Sequence, residues 1–185
     1  MAYNEDASLS VLNDLTNAQG GADIPGLSVE EVVPGLVEAK HGDQLAAIEN
    51  EEARNEKRAE LEDYYSKGKG KTVVQMEIAK IKANFASAKS SIETVAKAAV
   101  SAVASNAVPA VITVGQAVST PNPGYATIEN QTKKAQLQAT LNGAAKALTD
   151  LVQAAIMIAF PLPGVILAVI KLLTTTKKAV DAIPG

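Results

Sequence analysis

The sequence predicts an all-α protein. It is expected to be an elongated helical bundle or coiled coil with long heptad helices, a Gly/Pro-rich N-terminal arm and an apolar helical corner near the C-terminus. Three observations predict this. Two rows of apolar residues advance in alternating steps of four and three. Apolar residues make up 47% of the chain but aromatics only 3%, and an Ala-, Val-, Ile- and Leu-rich core suits close helix packing better than a sheet. Pro and Gly gather at a few joints, where helices must end.

Residues 1–42 are expected to form an extended arm with short helical turns. Ser10 to Ala18 suit one short helix, stopped by Gly20 and Gly21. Ser28 and Glu31 have the spacing of a capping box. Pro34 and Gly35 are then expected to stop that helix quickly. Asp43 is a candidate cap for a charged helix over 43–66. From Glu49 to Asp63 this helix is polar on almost every face, so it is expected to be solvated or to lie on a partner. Residues 67–71 read as a flexible hinge, followed by a helical bundle or coiled-coil domain over 72–185.

The "GKGKT" stretch at 68–72 invites a phosphate-loop interpretation, but such a loop needs a Gly five positions before Gly70. Tyr65 stands there, and a charged helix precedes it in place of a buried strand.

The clearest element runs from Thr72 to Asn106. Val74, Ile78, Ile81, Phe85, Ala88, Ile92, Val95, Ala99 and Ala102 form an unbroken heptad seam. Glu77 and Lys82 fall at g and the following e, which suits an ion pair between parallel chains. The stretch from Ala107 to Ser119 suits a kinked helix or an extended β-like segment, with the helix favoured, and residues 120–124 read as a loop. A second long helix is expected from about Tyr125 to Phe160. Its own seam is Leu137, Leu141, Ala144, Leu148, Leu151, Ala155 and Ile158. Two matching seams on either side of a Pro-rich loop suggest a helical hairpin.

Ala154 to Ile170 carry no strongly polar residue. A straight membrane span needs about 20 such residues, and Pro161, Pro163 and Gly164 divide this stretch into two short pieces. A buried helical corner is therefore expected. Val165, Ile166, Leu167, Val169, Ile170, Leu172 and Leu173 cover every face of the last helix, which is expected to need partners all round.

The chemistry-bearing residues are few. The absence of Cys excludes disulfides and thiolate metal sites. His41, the one histidine, is expected in a solvated Gly-flanked loop. No catalytic constellation, cofactor site or metal site is expected. Residues 1–71 hold 15 acidic and 7 basic side chains, and residues 72–185 hold 5 and 10. That asymmetry allows attraction within or between chains, but no basic patch with interleaved aromatics points to specific nucleic-acid binding. The start of the chain lacks the pattern of a signal peptide.

The acidic start MAYNEDASLSVLNDL, the cysteine-free Ala-rich helices and the joints STPNPGY and PLPG resemble small helical virion proteins of tailed phages, such as tail, baseplate or neck components. The resemblance carries over no functional residue. It implies a non-enzymatic structural subunit of a virion, made in the host cytoplasm. Its partners would be other copies of itself, as a trimer or higher oligomer, and other structural proteins. The expected oligomer interface comprises Val74, Ile78, Ile81, Phe85, Ala88, Ile92, Val95, Leu137, Leu141, Leu148, Leu151, Ile166, Ile170 and Leu173. The alternatives are a membrane-active protein that inserts the 154–173 apolar hairpin, and a monomeric helical adaptor whose seams pair within one chain.

Overall fold

A computed structural model of the chain describes residues 10–16, 24–105 and 123–183. The expected kinked helix at 107–119 and most of the loop after it lie outside these residues. Every described element is an α-helix: α1 (Val29–Ala46), α2 (Glu51–Ser66), α3 (Lys71–Ser105), α4 (Pro123–Met157) and α5 (Gly164–Asp181). Residues 10–16 are also helical. The chain divides into two compact units. One takes in the described parts of Met1–Ala22, Ser87–Lys146 and Leu167–Gly185. The other is Asp23–Ala86 with Ala147–Ile166.

In the second unit, α1 and α2 form a hairpin. Ser28 caps α1 by accepting the Glu31 N–H at 3.2 Å, and its hydroxyl donates to the Glu31 carboxylate at 3.0 Å. The helix then runs through Pro34 and Gly35, where the sequence predicts an early stop. An interior Pro costs about 3 kcal/mol. Pro34 and Gly35 lie on the exposed side, while Val32, Val33, Leu36, Val37 and Leu45 are buried. Each such burial contributes about 1.5–3 kcal/mol, so the packed face outweighs the broken bond.

The charged helix does not begin at Asp43. That residue lies inside α1, and Asn50 caps α2 by accepting the Ala53 N–H at 2.9 Å. Arg54 holds the connecting turn. Its guanidinium donates twice to the Ile48 carbonyl, at 3.0 and 2.7 Å. No residue of α2 is fully buried. Its Leu61 and Tyr65 nevertheless pack on the Val33, Val37 and Leu45 cluster of α1, and Arg58 reaches Glu38 at 2.8 Å.

The joint at 67–71 is a hydrogen-bonded turn. The N–H groups of Gly68, Gly70 and Lys71 donate to the carbonyls of Asp63, Tyr64 and Gly68 at 2.9, 3.0 and 3.1 Å. Gly70 is buried, and a Cβ there would come within 2.8 Å of both the Tyr64 and Tyr65 rings. The rings meet edge to face, 5.0 Å between centroids.

All nine seam residues of α3 are buried. So are Leu141, Ala144, Leu148, Leu151, Ala155 and Ile158 of the second seam, whose first residue, Leu137, is half-buried. In the second unit, the start of α3, as far as Ala86, lies with the end of α4, from Ala147 onward. The remaining parts of both helices belong to the first unit.

The apolar stretch breaks where its prolines require. The α4 helix ends at Met157, and α5 begins at Gly164. The Phe160 N–H donates to the Ala155 carbonyl at 2.8 Å, and the Ala159 N–H donates to Ile156 at 3.1 Å. This is a Schellman termination with Ala159, at φ 52°, in the position glycine usually fills. No helix among the described residues is long and apolar enough to cross a membrane. The last helix is not buried all round. Ile166, Val169, Leu172, Thr176, Ala179 and Val180 form its buried stripe, while Leu167 is half exposed.

Two substitutions test these joints by urea denaturation. Gly70→Ala must push aside two packed rings and should destabilise by about 1–3 kcal/mol. Ala159→Gly should stabilise by about 0.5–1 kcal/mol, because relief of the left-handed conformation exceeds the entropy that glycine adds to the unfolded chain.

Candidate interaction surface

The residues expected at an oligomer interface divide by burial. In the second unit, Val74, Ile78, Ile81, Phe85, Leu148, Leu151 and Ile166 are buried by their own chain. In the first unit, Ala88, Ile92, Val95 and Leu141 are buried in the same way, and Leu137, Ile170 and Leu173 are half-buried. Glu77 pairs with Lys80 on its own helix, at 3.3 Å, where the heptad spacing suggested Lys82 of another chain. The reason is geometric: residues three apart face each other on one helix.

Several large apolar side chains near these residues remain exposed. In the second unit Ile156 is 72% exposed, Met76 54%, Met157 53% and Val73 52%. They sit at the start of α3 and the end of α4. Between these helices runs an open groove of about 520 Å³. Glu77, Lys80 and Asn84 line one wall. Asp150, Gln153, Ala154 and Met157 line the other. Met157, one of the groove residues, is among these exposed side chains.

A second groove in this unit, of about 450 Å³, lies between the start of α1 and the corner after α4. Its lining includes Pro25, Gly26, Val32, Phe160, Pro161 and Leu162. Gly26, at φ 77°, lets the chain turn beside the Phe160 ring.

His41 is placed differently from the solvated loop expected. It lies within α1, and its Nε2 is 2.9 Å from the Tyr65 hydroxyl across the hairpin. Its Nδ1 is 3.3 Å from Gln44 Oε1. Burial, and then the neighbouring Tyr64, hold the Tyr65 phenol above its ordinary value of 10.0. Among the described residues, no group of three or more His, Asp or Glu side chains is placed to hold a metal ion.

In the first unit, Asp14 fastens residues 10–16 to α5. Its carboxylate is 5% exposed, accepts from the Thr175 hydroxyl at 2.6 Å and lies 3.4 Å from the Lys171 ammonium. This part of the expected arm therefore packs on its own chain, with Val11 and Leu15 buried beside it.

The exposed groove residues were legible only in part. Apolar residues immediately beside a seam are its one sequence trace, and which of them stay uncovered depends on tertiary packing.

In comparisons with known proteins, no family model, curated protein or solved structure matches the chain.

The Tyr65 phenol makes the hairpin sensitive to alkali. A raised folded value means its contribution is fully present below pH 10 and is lost as pH rises through the folded value. Tyr65→Phe should lower stability at pH 7 by about 0.5–1.5 kcal/mol through the lost hydrogen bond. It should also make stability fall less steeply than in the wild type above pH 10, measured by urea midpoints across that range.

Proposed function

We propose that the chain is a non-enzymatic structural subunit of a larger oligomeric assembly. In this proposal it is an elongated helical bundle of the kind used in phage tails and baseplates, located in the virion. It binds other copies of itself and other structural proteins. The observation that carries the proposal is the contrast between the buried seams and the exposed Val73, Met76, Ile156 and Met157. A chain that covers its seam residues so completely, yet leaves four large apolar side chains exposed at the start of α3 and the end of α4, has a surface suited to a neighbour.

The seams themselves serve the fold in this proposal. A side chain already buried by its own chain has little apolar area left to contribute to an interface. The acidic face of α2 adds solubility and steers approach, because its carboxylates outnumber its cations. The virion setting is supported by the resemblance of the Ala-rich, Pro/Gly-jointed sequence to small tailed-phage structural proteins.

The test is light scattering coupled to size-exclusion chromatography, on the full chain in detergent-free buffer over a hundredfold concentration range. A discrete homo-oligomer that forms with increasing concentration is expected. A monomer at every concentration contradicts the self-assembly proposed here.

A further inference from the structure

The first unit holds a cavity of about 200 Å³ between α4 and α5. Gln138, Leu141 and Asn142 line it from α4, and Lys177, Val180 and Asp181 line it from α5. At about 30 Å³ for a water molecule, it has room for roughly seven water-sized groups, which suits a small molecule and not a helix or strand. Leu141 and Val180 are buried and supply the apolar part of the lining. The other four side chains are polar and exposed. An apolar lining with a few polar groups that fix orientation is the usual make-up of a small-molecule site.

The polar groups are not used up by the fold. Gln138 donates its amide N–H to Asp181 Oδ1 at 3.2 Å, which leaves Asp181 Oδ2 and Gln138 Oε1 able to accept. Lys134 donates to the backbone carbonyls of Asp181 and Ile183 at 3.1 and 3.5 Å, so a different cation fastens the end of α5 to α4. Among the described residues, the Lys177 ammonium and the Asn142 amide have no partner. Lys177 and Asp181 stand one helical turn apart, yet no ion pair joins them. A cation four residues before an anion is the weaker order for such a pair on a helix. The cavity therefore presents a separate cation and a separate anion, with Cβ atoms about 5–6 Å apart, together with two amides and two aliphatic side chains.

We propose that this cavity binds a small aliphatic α-amino acid. The carboxylate of the ligand takes Lys177 and the Asn142 amide N–H. Its ammonium takes the free oxygens of Asp181 and Gln138, and its side chain rests on Leu141 and Val180. An α-amino acid carries both charges on one carbon, which matches a cation and an anion one helical turn apart. A ligand with a single charge is attracted to one of the two residues and repelled by the other. The proposal is independent of the assembly function, since it uses none of the exposed apolar side chains on which that function rests.

The experiment is an NMR titration of the full, isotopically labelled chain with three probes of similar aliphatic shape. These are L-valine, isovalerate, which lacks the ammonium, and isobutylamine, which lacks the carboxylate. Valine should move the side-chain amide signals of Gln138 and Asn142 and the backbone signals of residues 177–181 in a saturable way. It should bind at least about tenfold more tightly than either single-charge probe, as one charge-assisted hydrogen bond implies. Lys177→Met should weaken valine about tenfold without weakening isobutylamine. Asp181→Asn should weaken valine without weakening isovalerate, and its amide oxygen can still accept the Gln138 hydrogen bond. Circular dichroism checks that both variants keep their helix content. Signals that stay fixed in the presence of valine overturn the proposal. Single-charge probes that bind as tightly as valine, or valine binding that survives both substitutions, also overturn it. The comparison of the three probes on the wild type needs no variant, so it decides the matter even where a variant fails to fold.

Discussion

Burial of the two long apolar seams is the constraint on which the other features depend. A helix of 35 residues exposes an apolar row that water disfavours along its whole length, and covering that row contributes about 25 cal/mol for each Å² removed from water. Here the rows of α3 and α4 are buried in both compact units by the chain itself. Many of the positions are alanine, including Ala88, Ala99, Ala102, Ala144 and Ala155, so neighbouring backbones can approach closely.

The polar contacts follow from the same requirement. Arg54 closes the turn at Ile48, and Arg58 reaches back to Glu38. His41 and Tyr65 bond across the hairpin, beside the tyrosine pair that Gly70 accommodates. In the other unit, Asp14 ties residues 10–16 to Thr175 and Lys171. Exposed pairs of this kind contribute little stability singly, whereas a buried carboxylate such as Asp14 fixes where its segment sits because it cannot lose its partners cheaply. Function, as proposed, uses what the packing leaves over: the large apolar side chains near the seams that the chain does not cover.

The long helices were legible in the sequence because a four–three repeat over many turns has few other physical meanings. The break at Pro161 and Pro163 was legible for a similar reason, since proline cannot continue the interior hydrogen bonds of α4. Local rules failed where tertiary contacts reversed them. Pro34 and Gly35 predict a stop, but the valine and leucine stripe around them is buried in the hairpin and carries the helix to Ala46. That stripe was present in the spacing of Val29, Val32, Val33, Leu36 and Val37, and the two helix breakers obscured it. The Gly-Lys-Gly run suggested a loose hinge because no sequence rule reports that two tyrosine rings close over Gly70. The all-round apolarity of α5 suggested partners on every side, although one stripe is buried and Leu167 remains half exposed. The candidate surface was the least legible part. Ile156 and Ile158 look equivalent in composition, and only the packing of α4 makes one exposed and the other buried.

The central claim is that the seams close within one chain. It is tested most directly by diluting the protein until light scattering reports a monomer, then following its helix signal and urea unfolding. The account predicts that the monomer keeps its helix content and unfolds in one cooperative transition. Loss of helix on dissociation would contradict it, because the seams would then need a second chain to be covered.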